Sequence, residues 1–390
     1  MRNLNFYERA EMLGHSLSDL ASGEEVRTMI KMNSLDEFKA FYDKYTGEMR
    51  TVDSDKSKRV LNCNGGAMDG SDLLSKVCDY VFDNVPLSDA EFALASRMFP
   101  IEFEAVSAEN AEWKGDVKFE SETGILLNYE TLTIQDEAKV EITDTIFELT
   151  ANNVFKNGGS KKGYKDIYIL GSPGKNGTSG ENGNKGGNGF NGSRSTDSNR
   201  PGERGENAKE GNKGQNGEKG TCGRGNQRAT FRIKELVTTV PLTFVSKSGD
   251  GGAGGNGGDG GEGGKGGNGG DGAISFCYNS DGGGGGNGGR GGDGGNGGDG
   301  GNGGNGEPIT IYVHEGRKSM IQKDIMPVHG GIGGKGGKPG NGGNPGIGGN
   351  GGRGCAKGED GSQGGNGSRG AVGIKGSKGV SGDIKIQIQP

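Results

Sequence analysis

The chain has 390 residues, of which 88 are glycine and only 28% are hydrophobic, so one conventional apolar core cannot span it. Its formal charge of −6, with both signs spread along the chain, provides no basic face and argues against nucleic acid and anionic membrane as partners. The N-terminal residues MRNLNFYERAEMLGHSLSDLASGEE lack the apolar run of a secretory signal, and no window has the length of a membrane span. A virion-associated or cytoplasmic protein with non-classical release is expected. His15, His314 and His329 are far apart and none of the five cysteines forms CxxC, so no metal site and no cofactor are expected.

Residues 1–110 read as a small α-helical domain. Ser22-Gly23-Glu24-Glu25, Ser34-Leu35-Asp36-Glu37 and Ser88-Asp89-Ala90-Glu91 have the form of capping boxes, in which a Ser hydroxyl and a Glu three residues on satisfy each other's backbone N–H. Phe38, Phe41 and Tyr42 then share one helical face, and Leu73, Leu74, Val77 and Val81 another. The domain is expected to attach the chain to a fibre, a particle or a sister subunit.

Residues 111–170 change texture to alternating stretches such as DVKFES, GILLNYE, KVEIT and TIFELTA, with turn residues between them. They predict a short all-β stem, β-helix-like or prism-like. Glu130, Asp136, Glu137, Glu141 and Asp144 are the carboxylates a glycosidase there would need, but about 60 residues hardly make a substrate groove, and the chain reads as a non-enzyme.

From residue 171 glycine keeps a period of three. GGX runs fill 249–272 and 281–306, G-x-y runs fill 171–192, 202–225 and 358–382, and glycine holds the same period over 330–354. Period three is that of a polyproline II rod, and bare glycine edges let such rods pack backbone to backbone. The expected architecture for 171–390 is therefore a six-helix antiparallel polyglycine II bundle of three hairpins, with β segments at its base. The polar X residues (Asn256, Asp259, Asn287, Asp293 and their like) are expected to face solvent. The G-x-y texture is collagen-like, but ten prolines in the whole chain cannot hold a triple helix.

These runs resemble glycine-rich polyglycine II bundle proteins. In organisation they are closest to the receptor-binding adhesins of phage long tail fibres; in the repeat alone they also resemble the snow flea antifreeze protein and the N-terminal domain of Obg-type GTPases. The resemblance covers about 171–390 and implies a rod that displays its end loops to a cell-surface receptor or glycan. A structural subunit that assembles into a filament or coat is the alternative, and an ice-binding protein a further one.

The interruptions between rods carry the expected contacts: Arg194, Asp197, Asn199 and Arg200 in the first, Phe276, Tyr278 and Asn279 in the second, and Lys357 and Glu359 beside the third. Aromatic rings are favoured binding anchors, which singles out Phe276 and Tyr278. Cys277 and Cys355 fall at the same end, where a disulfide is the expectation to test.

Overall fold

The structure is a computed structural model, and it describes residues 4–47, 70–121, 123–158, 165–197, 199–274 and 279–389. Near the N-terminus lie α1 (Phe6–Met12), α2 (Leu17–Leu20), β1 (Val26–Met32), α3 (Leu35–Thr46), α4 (Gly70–Asp83) and α5 (Asp89–Ser96). Asn5, Ser16 and Ser88 each close a capping box, and the Ser34 side chain accepts from the Glu37 N–H. Ser22 starts no helix: its hydroxyl donates to the Asp19 carbonyl and accepts from Glu24 N–H, turning the chain into β1.

Eleven further strands follow: β2 (Ile101–Trp113), β3 (Asp116–Glu120), β4 (Gly124–Ile134), β5 (Lys139–Thr143), β6 (Ile146–Lys156), β7 (Ile167–Leu170), β8 (Ala229–Thr238), β9 (Leu242–Lys247), β10 (Ile309–His314), β11 (Ile321–Ile325) and β12 (Ile384–Gln389). They alternate between two sheets. One has seven strands in the order β1-β2-β4-β6-β8-β10-β12, and the other five in the order β11-β9-β7-β5-β3. All pairings are parallel except β1 with β2.

This overturns the expected six-helix polyglycine II bundle on a separate stem, and with it the collagen-like reading. The fold is a two-sheet α/β domain. Strands drawn from the supposed head, stem and bundle base all enter the seven-stranded sheet, because their apolar residues stack in register. Leu127 lies beside Leu149, Leu149 beside Phe231, Phe231 beside Ile311, and Ile311 beside Ile386. The inward residues of both sheets form one core, crossed by an aromatic row of Trp113, Phe119, Phe147, Phe231 and Phe244 with successive centroids 4.8–5.7 Å apart.

The helices cover the outer face of the seven-stranded sheet, where an ionic cluster joins them to it. Tyr42 of α3 donates to Glu148 of β6 at 2.9 Å, and Arg232 of β8 donates to the Tyr42 hydroxyl at 2.9 Å. Arg232 Nε also lies 3.1 Å from Glu148 Oε1, a charge contact without hydrogen-bond alignment. Burial pushes the Glu148 carboxyl above its ordinary range, against the pull of Arg232. Arg9 of α1 reaches Asn128 of β4 and Asn152 of β6 in the same layer.

The glycine segments are insertions at one recurring place. The step from the five-stranded sheet back to the seven-stranded one takes residues 121–123 and 144–145 in the first two passes, and 171–228, 248–308 and 326–383 in the last three. Each long insertion is a hairpin. Its legs are bonded sideways rather than internally, as Gly174 N–H to Asp250 O (2.8 Å) and Gly251 N–H to His329 O (2.8 Å) show for the three first legs. Gly205 N–H to Gly284 O (2.9 Å) and Gly285 N–H to Glu359 O (2.8 Å) link the three second legs. Each second leg also bonds the first leg of its own hairpin, and in the first two hairpins that of the next, as in Gly283 N–H to Gly270 O and Gly331 N–H to Gly301 O, both 2.8 Å. The hairpins therefore stack as three layers of two legs.

Close approach is what demands glycine here. A Cβ on Gly289 would stand 2.0 Å from the Lys209 carbonyl oxygen, whereas one on Gly365 would meet nothing within 4 Å. Gly289→Ala should destabilise the protein by about 3 kcal/mol, and Gly365→Ala by less than about 0.5 kcal/mol. Thermal unfolding of the two variants checks this; equal melting temperatures would refute the packing argument.

Candidate functional site

The three hairpin turns meet at one end of the stack. Ser195 N–H donates to Asp271 O (2.9 Å) and Gly202 N–H to Asp281 O (2.9 Å), which joins the first turn to the second. The second joins the third through Gly352 N–H to Ser280 O (2.9 Å), Gly282 N–H to Ala356 O (3.0 Å) and Asn279 Nδ2 to Arg353 O (2.7 Å). Asp281 is the hub, because its carbonyl holds Gly202 while its carboxylate accepts Ala356 N–H at 2.8 Å.

Within the first turn Asp197 organises its neighbours: its side chain accepts Asn199 N–H at 2.9 Å and its carbonyl accepts the Ser195 hydroxyl at 2.7 Å. Arg194, Asp197, Asn199 and Arg200 are exposed. Asn279 forms a bridge with Ile274 at the neck of the second turn. Phe276, Cys277 and Tyr278 lie outside the described residues. Lys357 is exposed and pairs with Asp360 at 3.0 Å, and Glu359 is exposed beside it. Cys355 carries a free thiol.

Two residues at this end escaped the sequence reading. Arg353 is exposed beside Asn279, and Ile274 presents 67% of its surface. Neither stands out in the chain, since each directly follows glycine-rich phase and only the meeting of the turns gives it company.

The carboxylates weighed for catalysis have other partners. Glu130 accepts Asn152, Glu141 pairs with Lys139 and Lys118, and Asp144 accepts the Ser172 N–H and hydroxyl. Asp136 and Glu137 sit in the turn between β4 and β5. A cavity of about 340 Å³ beside α3 and α4 is lined by Phe38, Val77, Cys78, Phe99, Phe103 and Ile146 among others. Its lining is mostly apolar, without the convergent polar groups that orient a ligand. No helix among the described residues is long and apolar enough to cross a membrane.

The X residues have a more specific role than facing water. Asn207 accepts the N–H of Asn287 at 2.8 Å, and Asn287 in turn accepts that of Ser362 at 2.9 Å. Asn216, Asn296 and Ala371 repeat the pattern, as do Asn182, Asp259 and Lys338. Each Asn or Asp caps the N–H of the matching residue one layer on. The signal for this in the sequence is the Asn and Asp bias itself, since Ser, Lys or Gln would hydrate an edge equally well.

No family model, curated protein or solved structure matches this chain. The resemblance to glycine-rich bundle proteins and phage tail-fibre adhesins is accordingly withdrawn: it rested on a repeat, and the two-sheet core falls outside it.

The ladders make stability depend on acid. Asp293 and Asp299 are held below the ordinary carboxylate range, first by accepting the N–H of Ser368 and Ile374 and then by Arg290 and Lys219. A depressed folded value means that the stabilisation is present above the ordinary range and is lost as pH falls through the depressed one. Asn at both positions keeps an acceptor that cannot be protonated there. Asp293→Asn with Asp299→Asn should therefore lose less melting temperature than the parent between about pH 5 and about pH 2. An identical loss in both proteins would contradict this.

Proposed function

We propose that this is a non-enzymatic display protein whose joined hairpin turns bind a ligand on a cell surface. The observation that carries the reading is the gathering of three turns, far apart in sequence, into one hydrogen-bonded surface at the end of the glycine stack. Loops positioned by a rigid scaffold are where binding specificity is commonly placed. Here the scaffold fixes backbone at every third residue of every leg, while Arg194, Asp197, Asn199, Arg200, Arg353, Lys357 and Glu359 stand exposed at its end.

The mixture of fork-shaped guanidinium groups, carboxylates and amides suits a polar ligand with hydroxyl and acidic groups, such as a surface glycan. The N-terminal helices and the far edge of the two sheets lie at the other end of the insertions, and remain available for attachment.

The test is binding of the full chain to an immobilised glycan panel and to intact cells. It compares the parent with Arg194→Ala/Arg200→Ala, with Lys357→Ala/Glu359→Ala, and with Ile274→Ser. These side chains are exposed, so melting temperatures should stay within a few degrees of the parent. Binding should fall at least tenfold, which corresponds to about 1.4 kcal/mol. Undiminished binding in all three would refute the assignment to this end, and absence of any binding by the parent would refute display itself.

A further inference from the structure

We infer that the glycine stack is a capped array, in which residues 229–308 form the repeatable interior unit while the first and third hairpins are end caps that refuse a further layer. This goes beyond the display reading and does not depend on it.

An interior layer must serve two faces. In the second hairpin, Gly254, Gly257, Gly260, Gly263, Gly266 and Gly269 donate to carbonyls of the third hairpin, while Gly252, Gly255 and Gly258 donate to the first. Glycine at both sets of positions, with Asn or Asp at many of the X positions between them, lets one layer lie beneath and another above.

The third hairpin departs from this on its outer face. By the hydrogen bond of Lys338 N–H to Asp259, residue 338 corresponds to 259, so Pro339 and Pro345 stand where Gly260 and Gly266 donate to the next layer. Proline has no N–H to offer. The alternate positions, Gly342 and Gly348, have their N–H groups taken by Asn366 (2.9 Å) and Asp360 (2.8 Å), which reach across from the other leg. From 339 to 348 every outward donor is thus deleted or capped.

The second leg closes too. By Ser362 N–H to Asn287, Gly285, Gly288, Gly291 and Gly294 correspond to Asp360, Gln363, Asn366 and Arg369, exposed side chains where a following layer would need bare backbone. The X positions change in the same layer. Ile347, Ile374 and Val380 stand where Asn268, Asp299 and Asn305 of the second hairpin hold acceptors, and Lys335 and Lys338 where Asn256 and Asp259 do.

The first hairpin is closed at the opposite face by different residues. Thr221 and Glu218 give their carbonyls to Gly252 and Gly255 of the second hairpin. Their side chains turn back to accept Lys175 N–H (2.7 Å) and Thr178 N–H (3.4 Å), the donors that would otherwise point at a preceding layer. Glu203 does both for Gly270 and Ser193.

Exposed β edges are blunted in the same way, with prolines and side chains that occupy the donors, against edge-to-edge addition. Repeat arrays carry interior units that tolerate duplication and terminal units that do not.

Two insertions into the full chain test this. One duplicates 229–308 directly after residue 308, and the other duplicates 309–383 directly after residue 383. The first should give a monodisperse protein melting at or above the parent. The second should melt at least several degrees lower, or aggregate. Equal behaviour of the two, in either direction, would overturn the inference. The parent chain, followed by light scattering over a hundredfold range of concentration, should keep one mass, and growth with concentration would overturn the closure.

Discussion

Parallel pairing at a fixed spacing governs this molecule. Adjacent strands lie about 4.8 Å apart, and each pass through the two sheets advances the chain by one strand. A hairpin inserted in every late pass, always on the step from the five-stranded to the seven-stranded sheet, inherits that advance. Successive hairpins are therefore delivered to one another at the distance where backbone N–H meets backbone carbonyl. At that distance no Cβ fits between them, and the glycine content follows from the strand spacing rather than from a need for flexibility.

The transition from sheet to glycine layer has its own chemistry. Asn226 is fully buried between β8 and the legs, and its side chain donates to Glu307 O while accepting Gly382 N–H and the Ser248 hydroxyl. Ser248 N–H donates to Ser381, whose hydroxyl donates to Met326 O. Residues from the roots of all three hairpins thus share one polar knot. Apolar packing below and backbone bonding above change over at that knot, where an unpaired amide would be costly.

Much of this was legible. The helical caps at Ser34 and Ser88 and the alternation of β3 and β5 follow the local pattern, whereas β4 and β6 are buried on both faces along their first six residues. Other parts were hidden by their range. The stretch VRTMIKM alternates but stands next to a Ser-Gly-Glu-Glu string, and only β2, some 70 residues on, makes it a strand. Composition divided the chain where glycine begins, whereas the sheets ignore that boundary because Phe231 and Phe244 find their partners, Leu149 and Ile167, across it. The Asn and Asp of the X positions read as hydrated, since the N–H each accepts lies 75 to 80 residues away. At the hairpin end, single residues such as Arg194 carried some signal by interrupting the phase. The meeting of Asn279 with Arg353 did not, because it depends on leg lengths matching in three dimensions.

The capping bonds of the X ladders all run one way. An Asn or Asp of an earlier hairpin accepts from a later one, while the backbone bonds run both ways, with glycine N–H groups of the earlier hairpin donating to the later and others of the later donating back. Each layer is thus a template offering both donors and acceptors to a segment that ribosomal synthesis has not yet delivered. Construction can proceed in the order of translation, with every finished hairpin presenting a complete growing surface to the next.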